Sequence, residues 1–423
     1  MNSKRYSVKT KKIPSHITFA IDAPSPCIVS YESFTKLTLT GWVYAKDSRI
    51  EKIIASDGKQ SEELAQNINR PDVLRVHPNA PVKCGFSSTI SLGKNIKVAA
   101  IIKGETIWFA EIEFTHIDAI EGRNGYLFLD NDTNESKKQY TGHRKMENES
   151  LASWREYFKK LSEHMNKNNI NYTFLLAPSK ELIFPDYYPK HRLYTTPTDQ
   201  LISATTPQNL IYPLDELINQ RNLSYSKTDT HWTDYGASIV AKIVCDKFLV
   251  PFEGKDLPYR MVRTSGDLGR KLYPPVFEDI PTIDFSFLNK TIRFYNNIKN
   301  RGEIRVFQNN DAPEKGTCVI FGDSFSVRLT NFLALSFSRV VHIFSGADID
   351  YSILEKENPK FVLIEITNRF IIRPPRADYS LKTDLSRKAS TSSKAEISKI
   401  ISESSKNNLE KFYSEITIEG LEN

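Results

Sequence analysis

The chain has 423 residues, of which 39% are hydrophobic and 26% charged. That excludes a fibrous or wholly disordered protein and supplies apolar material for two or three domains. The formal charge of +6 is modest for this length, and much of it sits in the N-terminal "SKRYSVKTKK" and the Lys-containing C-terminal tail. This distribution argues against nucleic acid as a partner and for basic arms that touch a membrane surface or an anionic polymer.

Along the chain, "IPSHITFAIDAPSP" is polar and broken by prolines, unlike the continuous apolar region of a secretory signal. No run reaches the roughly 18 to 20 apolar residues that span a bilayer. The expectation is a cytoplasmic protein, peripheral at most at the inner membrane. The four cysteines, Cys27, Cys84, Cys245 and Cys318, lie far apart and outside the spacings of zinc or redox motifs. They read as reduced thiols in or near the core, and no metal site is expected.

From about residue 30 to 115 the sequence alternates short β-type runs with turns: "KLTLTGWVYA", "IEKIIASDG", "CGFSSTISL", "IKVAAIIKG" and "TIWFAEIEF". With no helical period longer than "SEELAQNINR", this spacing predicts a small antiparallel β-sandwich, residues 1–117 with the basic arm. The run "RPDVLRVHPNAPVKCGFS" inside it resembles a module appended to bacterial glycan-modifying and glycosyltransferase proteins, which implies a packing or docking role.

The character then changes. In "NESLASWREYFKKLSEHMNKNN", Leu151, Trp154, Phe158, Leu161 and Met165 recur at helical spacing behind an Asn or Ser cap. A buried strand "NYTFLLAP" follows, then "NLIYP", the helix "LDELINQRN" and the helix "DYGASIVAKIVCDKFL". Later come the strands "GTCVIFGDS", "RVVHIFSG" and "KFVLIEITN". Alternating elements with apolar strands predict an α/β domain, a parallel sheet flanked by helices, over residues 118–375. Residues 251–315 lack clean periodicity and read as an irregular insertion. Residues 376–423 read as a Ser/Lys-rich tail with a possible terminal helix.

In such a sheet, reactive groups collect outside the carboxyl ends of the strands. "GTCVIFGDSFSVRLTNFLAL" is a strand, a sharp turn Gly322-Asp323-Ser324 and a helix. Ser324 there is lifted toward solvent, and its backbone N–H lies near the positive end of the helix, where it can hold an oxyanion. A serine hydroxyl is a poor nucleophile at neutral pH, so it needs a base and the base an orienting carboxylate. Of eight histidines, only His231 in "KTDTHWTDYGA" has a carboxylate two residues earlier in a segment expected at a strand end. Residues two apart in extended backbone point the same way, so Asp229 can hold His231 while its other nitrogen faces Ser324.

"KTDTHWTDYGA" together with "VIFGDSFS" resembles the alginate O-acetyltransferase family, SGNH-hydrolase-like with a DxHW signature. "GRNGYLFLDND", "APSKELIFPDYYP", "SGDLGRKL" and "FVLIEITNRFI" match further ordered segments, so the resemblance covers about residues 122–374. It implies Ser324 as nucleophile, His231 as general base and Asp229 as its orienting residue. The Asp/His pair precedes the serine, a rearranged order that the alginate family shares and ordinary SGNH enzymes lack. Asn368 and Arg369 become candidate oxyanion donors. Trp232 is a candidate for stacking on a sugar face or for a packing anchor at the helix start, Asp267 a candidate for the acceptor site or a turn cap. Lys180 and Tyr126 lie in matched segments without an assigned role.

The implied activity is two-step acetyl transfer to hydroxyls of a capsular or other surface polysaccharide. Acetyl-CoA is the donor implied by a cytoplasmic location, and no bound cofactor is expected. The partners implied are a polysaccharide or oligosaccharide acceptor and, beyond it, capsule-assembly proteins or the membrane surface. An acetylesterase with the same three residues, or a non-catalytic glycan-binding protein, are the alternatives.

Overall fold

In "LTLTGWVYA" every second residue is apolar or small, and the strand Leu37–Ala45 buries Leu39, Gly41 and Val43 on one face. The computed structural model describes residues 4–24, 27–31, 37–91, 95–116, 119–130, 132–205, 207, 209–272, 274–376, 378–407 and 409–422, with backbone alone at 4–9, 27–31 and 114–116. The chain divides into two compact units, one of residues 1–119 with 269–276, the other of residues 120–268 with 277–423. Within the described residues no helix is long and apolar enough to cross a membrane.

The first unit is built from two antiparallel sheets. One has six strands in the order Cys27–Tyr31, Lys4–Lys12, Glu105–His116, Ile96–Ile102, Lys52–Ser56 and Ser61–Leu64. The other has four, in the order Ile17–Ala23, Leu37–Ala45, Gly85–Ile90 and Gln66–Ile68. Their inward faces meet in one core containing Leu39, Val43, Ile53, Phe86, Val98 and Phe109, the sandwich-like arrangement the alternation predicts. The stretch "SEELAQNINR" is not helical. It supplies the strands Ser61–Leu64 and Gln66–Ile68, and the unit's short helix is Pro71–Val76. Its proline stands at the first turn, where no N–H bond is lost. Cys84 is buried with a free thiol, whereas the side chain of Cys27 lies outside the described residues.

The second unit carries a seven-stranded sheet. In chain order its strands are β1 (Asn171–Ala177), β2 (Leu210–Ile211), β3 (Ile292–Tyr295), β4 (Ile304–Gln308), β5 (Glu314–Gly322), β6 (Phe337–Phe344) and β7 (Phe361–Thr367). Across the sheet they run β2-β1-β7-β5-β6-β4-β3. The first five of this order are parallel, and β4 and β3 continue the sheet antiparallel. The region expected as an irregular insertion thus contributes two strands, β4 beside β6 and β3 at the edge, and it also forms a hairpin of Arg260–Thr264 and Glu278–Thr282. Two-residue periodicity sorts the strands: Phe174, Val319, Phe321, Val341, Val362 and Ile364 face one core, Leu175, Cys318, Ile320, Val340 and Leu363 the other.

The first core is covered by helix α1 (Asn148–Lys167) through Leu151, Trp154, Leu161 and Met165. Its cap is Glu147, with no side-chain bond to the helix end, not the expected Asn or Ser. The second core is covered by α2 (Asp234–Phe248) and α3 (Ser326–Ser336), through Ala237, Val240, Val244, Leu329, Phe332 and Leu333. A fourth helix, α4 (Tyr351–Glu357), precedes β7.

Beyond the last strand come α5 (Leu381–Thr391), α6 (Lys394–Ser405) and α7 (Lys411–Glu422), where a Ser/Lys-rich tail with a possible terminal helix was expected. They pack Leu381, Leu385, Ile400, Tyr413 and Ile416 into the first core. Asp384 of α5 is buried and accepts from Arg301 Nε (2.9 Å), Tyr379 OH (2.9 Å) and Arg376 Nη2 (3.3 Å). Arg339 of β6 bridges Glu357 of α4 (2.6 Å) and Glu410 (2.7 Å), just before α7. Apolar residues four and seven apart in this Ser/Lys-rich sequence were too sparse to signal that packing.

Candidate active site

Strand β5 ends at Gly322, and the chain turns through Asp323 and Ser324 into α3. Gly322 is required by proximity: a Cβ there would lie 2.3 Å from Ser326 Oγ. Asp323 braces the turn from within. Its Oδ1 accepts the Phe325 N–H (2.9 Å), its Oδ2 the Thr367 N–H of β7 (2.8 Å). Its own N–H donates to Glu365 Oε2 (2.8 Å). Glu365 is fully buried. Burial pushes its carboxyl well above the usual range, and the neighbouring Asp323 carboxylate adds to the shift. Ser326 Oγ bonds Asp323 O (2.7 Å) and lies 2.7 Å from His342 Nε2. His342, buried in β6, is pushed down to about 3 by desolvation and the charge of Arg305, so its ring is neutral. Among the described residues no acceptor bonds the Ser324 N–H.

The second half of the site is the loop before α2. His231 Nδ1 lies 2.7 Å from Asp229 Oδ1, and His231 Nε2 lies 2.8 Å from Ser324 Oγ. A carboxylate only accepts, so Nδ1 carries the ring proton and Nε2 is left to accept from the serine hydroxyl. The same Asp229 oxygen accepts the His231 backbone N–H (2.9 Å), and its other oxygen accepts the Asp267 N–H (3.2 Å). Burial opposes the charge on Asp229, but the His231 ring and these N–H donors outweigh it and hold the carboxyl well below its ordinary range. His231 and Asp229 keep 25% and 22% of their side-chain surface exposed, so the pair sits at the surface with access to a substrate.

Polar groups of other segments hold this loop. Asp267 accepts from Thr230 N–H (2.7 Å) and Thr230 Oγ1 (2.7 Å). Glu278 accepts from Lys227 N–H (2.8 Å), Thr228 N–H (2.7 Å) and Thr228 Oγ1 (2.6 Å). Lys180, buried, donates to the carbonyls of Ser226 (3.1 Å), Lys227 (3.2 Å) and Asp229 (2.5 Å). Gly266 is a close approach, where a Cβ would lie 2.4 Å from Thr228 O. Thr233 caps α2 by accepting the Gly236 N–H (3.2 Å). Asp234 does not cap it; it accepts from Arg328 (2.5 Å) and from Ile283 N–H (2.9 Å).

The other predicted residues fall into distinct places. Trp232 is 1% exposed, its Nε1–H donates to Phe325 O (3.1 Å), and its ring meets Phe325 edge to face at 4.8 Å. It offers no face to a sugar and joins the base loop to the nucleophile turn from inside, which corrects the stacking reading. Tyr126 is likewise buried, against Phe184 (4.4 Å) and Tyr187 (5.1 Å), with its hydroxyl pushed up to about 12 by desolvation. Asn368 and Arg369 begin where β7 ends, next to the Thr367 N–H that Asp323 binds. Asn368 Oδ1 accepts the Ser179 N–H (2.9 Å) and the Ser179 hydroxyl. The Arg369 guanidinium lies 5.6 Å from the Phe325 ring.

Glu278 and Glu365 were missed. Glu365 had a signal, an acid in the middle of the apolar "FVLIEIT"; Glu278 had none, since it lies in the stretch without periodicity. Asp229, His231 and Asp267 bring potential ligand atoms within 4.8 Å of one another. The polar atoms involved are already spent on the serine, the histidine and Thr230, so the donor set fits a hydrogen-bonded site better than a cation. A cavity of about 730 Å³ lies elsewhere, lined by Tyr157, His164, Tyr351, Pro374 and Arg376 among others, and includes none of Asp229, His231 or Ser324.

Residues 119–267 match the family described as the SGNH hydrolase-like domain of the acetyltransferase AlgX. The matched segment, about a third of the chain, thus resembles an AlgX-type SGNH hydrolase-like domain. The AlgX-type match includes Asp229, His231 and Asp267 and ends before Ser324. No curated protein matches the chain. Among solved structures, it is similar to Bacillus cereus PatB1 at 16% identity, covering 60% of this chain and 97% of that one with a TM-score of 0.44. A DHHW family protein from Eubacterium siraeum is similar at 17% identity, over 60% and 95% of the chains, TM-score 0.40. The O-acetyltransferase domain of Pseudomonas putida AlgJ is similar at 14% identity, over 67% and 98%, TM-score 0.36.

Proposed function

We propose that the protein is an O-acetyltransferase acting on hydroxyls of a bacterial capsular or other surface polysaccharide, with Ser324 as nucleophile, His231 as general base and Asp229 as its orienting carboxylate. The observation that supports this reading is the unbroken line of hydrogen bonds from Asp229 Oδ1 through His231 to Ser324 Oγ, 2.7 and 2.8 Å. That line supplies what a serine hydroxyl lacks at neutral pH, a positioned proton acceptor stabilised when it becomes charged.

In the first step His231 Nε2 takes the hydroxyl proton as Ser324 Oγ attacks an acetyl carbonyl, the leaving group departs with that proton, and acetyl-serine forms. In the second, a sugar hydroxyl loses its proton to His231 and attacks the acetyl-serine, which frees Ser324. The donor is an activated acetyl such as the thioester of acetyl-CoA, whose thiol leaves without a strong acid. The Ser324 N–H and the Asn368 side-chain amide, whose oxygen is already tied to Ser179, are the oxyanion donors, with Arg369 alongside.

The test is incubation of the purified protein with acetyl-CoA and a panel of capsular oligosaccharides, followed by mass spectrometry. Transfer is expected, and Ser324→Ala should lower it by about 10⁴-fold or more. Transfer that persists in Ser324→Ala would refute the mechanism. Release of acetate from acetylated polymer without transfer would make the protein an esterase, with water in place of the sugar hydroxyl.

A further inference from the structure

The one buried ammonium beside the base loop is not explained by packing. Lys180 is 2% exposed, and an ionised side chain so placed is costly unless every donor is matched. Its match is complete: three N–H donors meet three carbonyls, those of Ser226, Lys227 and Asp229. Almost consecutive carbonyls turned to one point force the backbone to curl around the ammonium. The remaining carbonyl of the curl, Thr228 O, faces away and accepts the Leu268 N–H (3.0 Å). Asp229 is therefore gripped at both ends. Its carbonyl is on Lys180, and its carboxylate is on His231.

We propose that Lys180 is the positioning residue of this site: its ammonium gathers the Ser226, Lys227 and Asp229 carbonyls and so sets the angle at which Asp229 presents His231 to Ser324. The inference rests on the reading of Ser324 and His231 as the reacting pair. The charged groups that face Lys180 are Asp229 in the loop, Asp267 in the following segment, Glu278 in the hairpin and Glu181 beside it; each favours the cation, while desolvation is larger and brings its pKa down to about 8. The Phe128 ring, 5.5 Å away, completes its surroundings. A neutral amine has two hydrogens for three carbonyls, so loss of the proton releases one of them and the charge together.

A positioning role differs from a merely structural one in what it moves. The probe is phenylmethylsulfonyl fluoride, whose rate of attachment to Ser324, read by mass spectrometry, reports activation of the serine without any assumption about the natural substrate. In Lys180→Met, attachment and kcat should both fall by about 10²-fold while KM for the acceptor stays unchanged and the protein remains folded. The wild-type attachment rate should decline above a midpoint near pH 8, and Lys180→Met should lack that limb. A Lys180→Met protein that labels at the wild-type rate would overturn the proposal. If that variant does not fold, the wild-type profile decides: a decline near pH 8 supports the proposal, and a rate flat to about pH 10 overturns it. Slow labelling of Lys180→Met in a protein that acetylates nothing would uphold the positioning role and discard the acetyltransferase reading.

Discussion

The two halves of the candidate site are held by opposite means. Ser324 stands on a turn anchored to strand backbone: Asp323 binds N–H groups of the turn and of β7, and Glu365 and His342 beneath it are buried and neutral. His231 stands on a loop with little backbone pairing, held by charged side chains, Lys180, Asp267 and Glu278, that come from three other segments. The nucleophile is placed by a scaffold whose geometry the sheet already dictates. The base is placed by electrostatics, so its position depends on protonation.

That contrast can be broken first at the base. Asp229→Asn should keep the loop's backbone path yet remove the charge that stabilises protonated His231, lowering kcat by about 10³- to 10⁴-fold in the acetyl-transfer assay. Since Asp229 is ionised well below the ordinary carboxylate range, it contributes stability above that range that is lost as pH falls through it. The variant should therefore show a flatter acid limb in thermal unfolding than the wild type.

On the nucleophile side the sign reverses. Glu365 stays neutral in the fold where an unfolded chain would ionise it, so its contribution falls as pH rises above the ordinary carboxylate range. Glu365→Gln keeps the acceptor for the Asp323 N–H and should raise Tm more at pH 8 than at pH 5, with kcat within about twofold. Glu365→Ala leaves that N–H unmatched and should cost about 1 to 3 kcal/mol in denaturant unfolding. Equal pH dependence of Tm in Glu365→Gln and wild type would count against a neutral acid there. The smallest effect is expected at the joint between the halves. Trp232→Phe removes the bond to Phe325 O and should destabilise by about 1 to 2 kcal/mol while leaving KM for sugar unchanged. A raised KM would return Trp232 to the substrate.

The same contrast explains what could be read from the sequence. The turn at Ser324 was legible because an apolar strand, Gly322 and a helix start are local signals, and the Asp229–His231 spacing is local too. Of the supports of the base, Lys180 and Asp267 stood out only through the resemblance, without this role, and Glu278 not at all. Lys180 lies 49 residues before Asp229 and Glu278 49 after, and nothing in their own neighbourhoods announces where the fold will bring them. Trp232 stayed open for a related reason: an aromatic beside a reactive histidine looks the same whether its ring faces solvent or core, and only the approach of Phe325 decides. The sandwich and the parallel strands followed from periodicity. Strands β3 and β4 did not, because they are only four and five residues long and polar residues interrupt the buried Phe294, Ile304, Val306 and Phe307.

The grip of Asp384 on Arg301, Arg376 and Tyr379 bears on how the protein is made. Arg301 precedes β4 and pairs with two carboxylates, Asp348, which follows β6, and Asp384, which arrives some eighty residues later in synthesis. A chain halted before α5 holds every strand of the sheet and both halves of the site, and keeps Asp348 beside Arg301, while lacking Asp384 and the helices whose apolar residues join Tyr379 and Ile371 in the first core. Chains cut short before residue 381 should therefore expose part of the first core and be cleaved more readily by proteases although all the reacting groups are present.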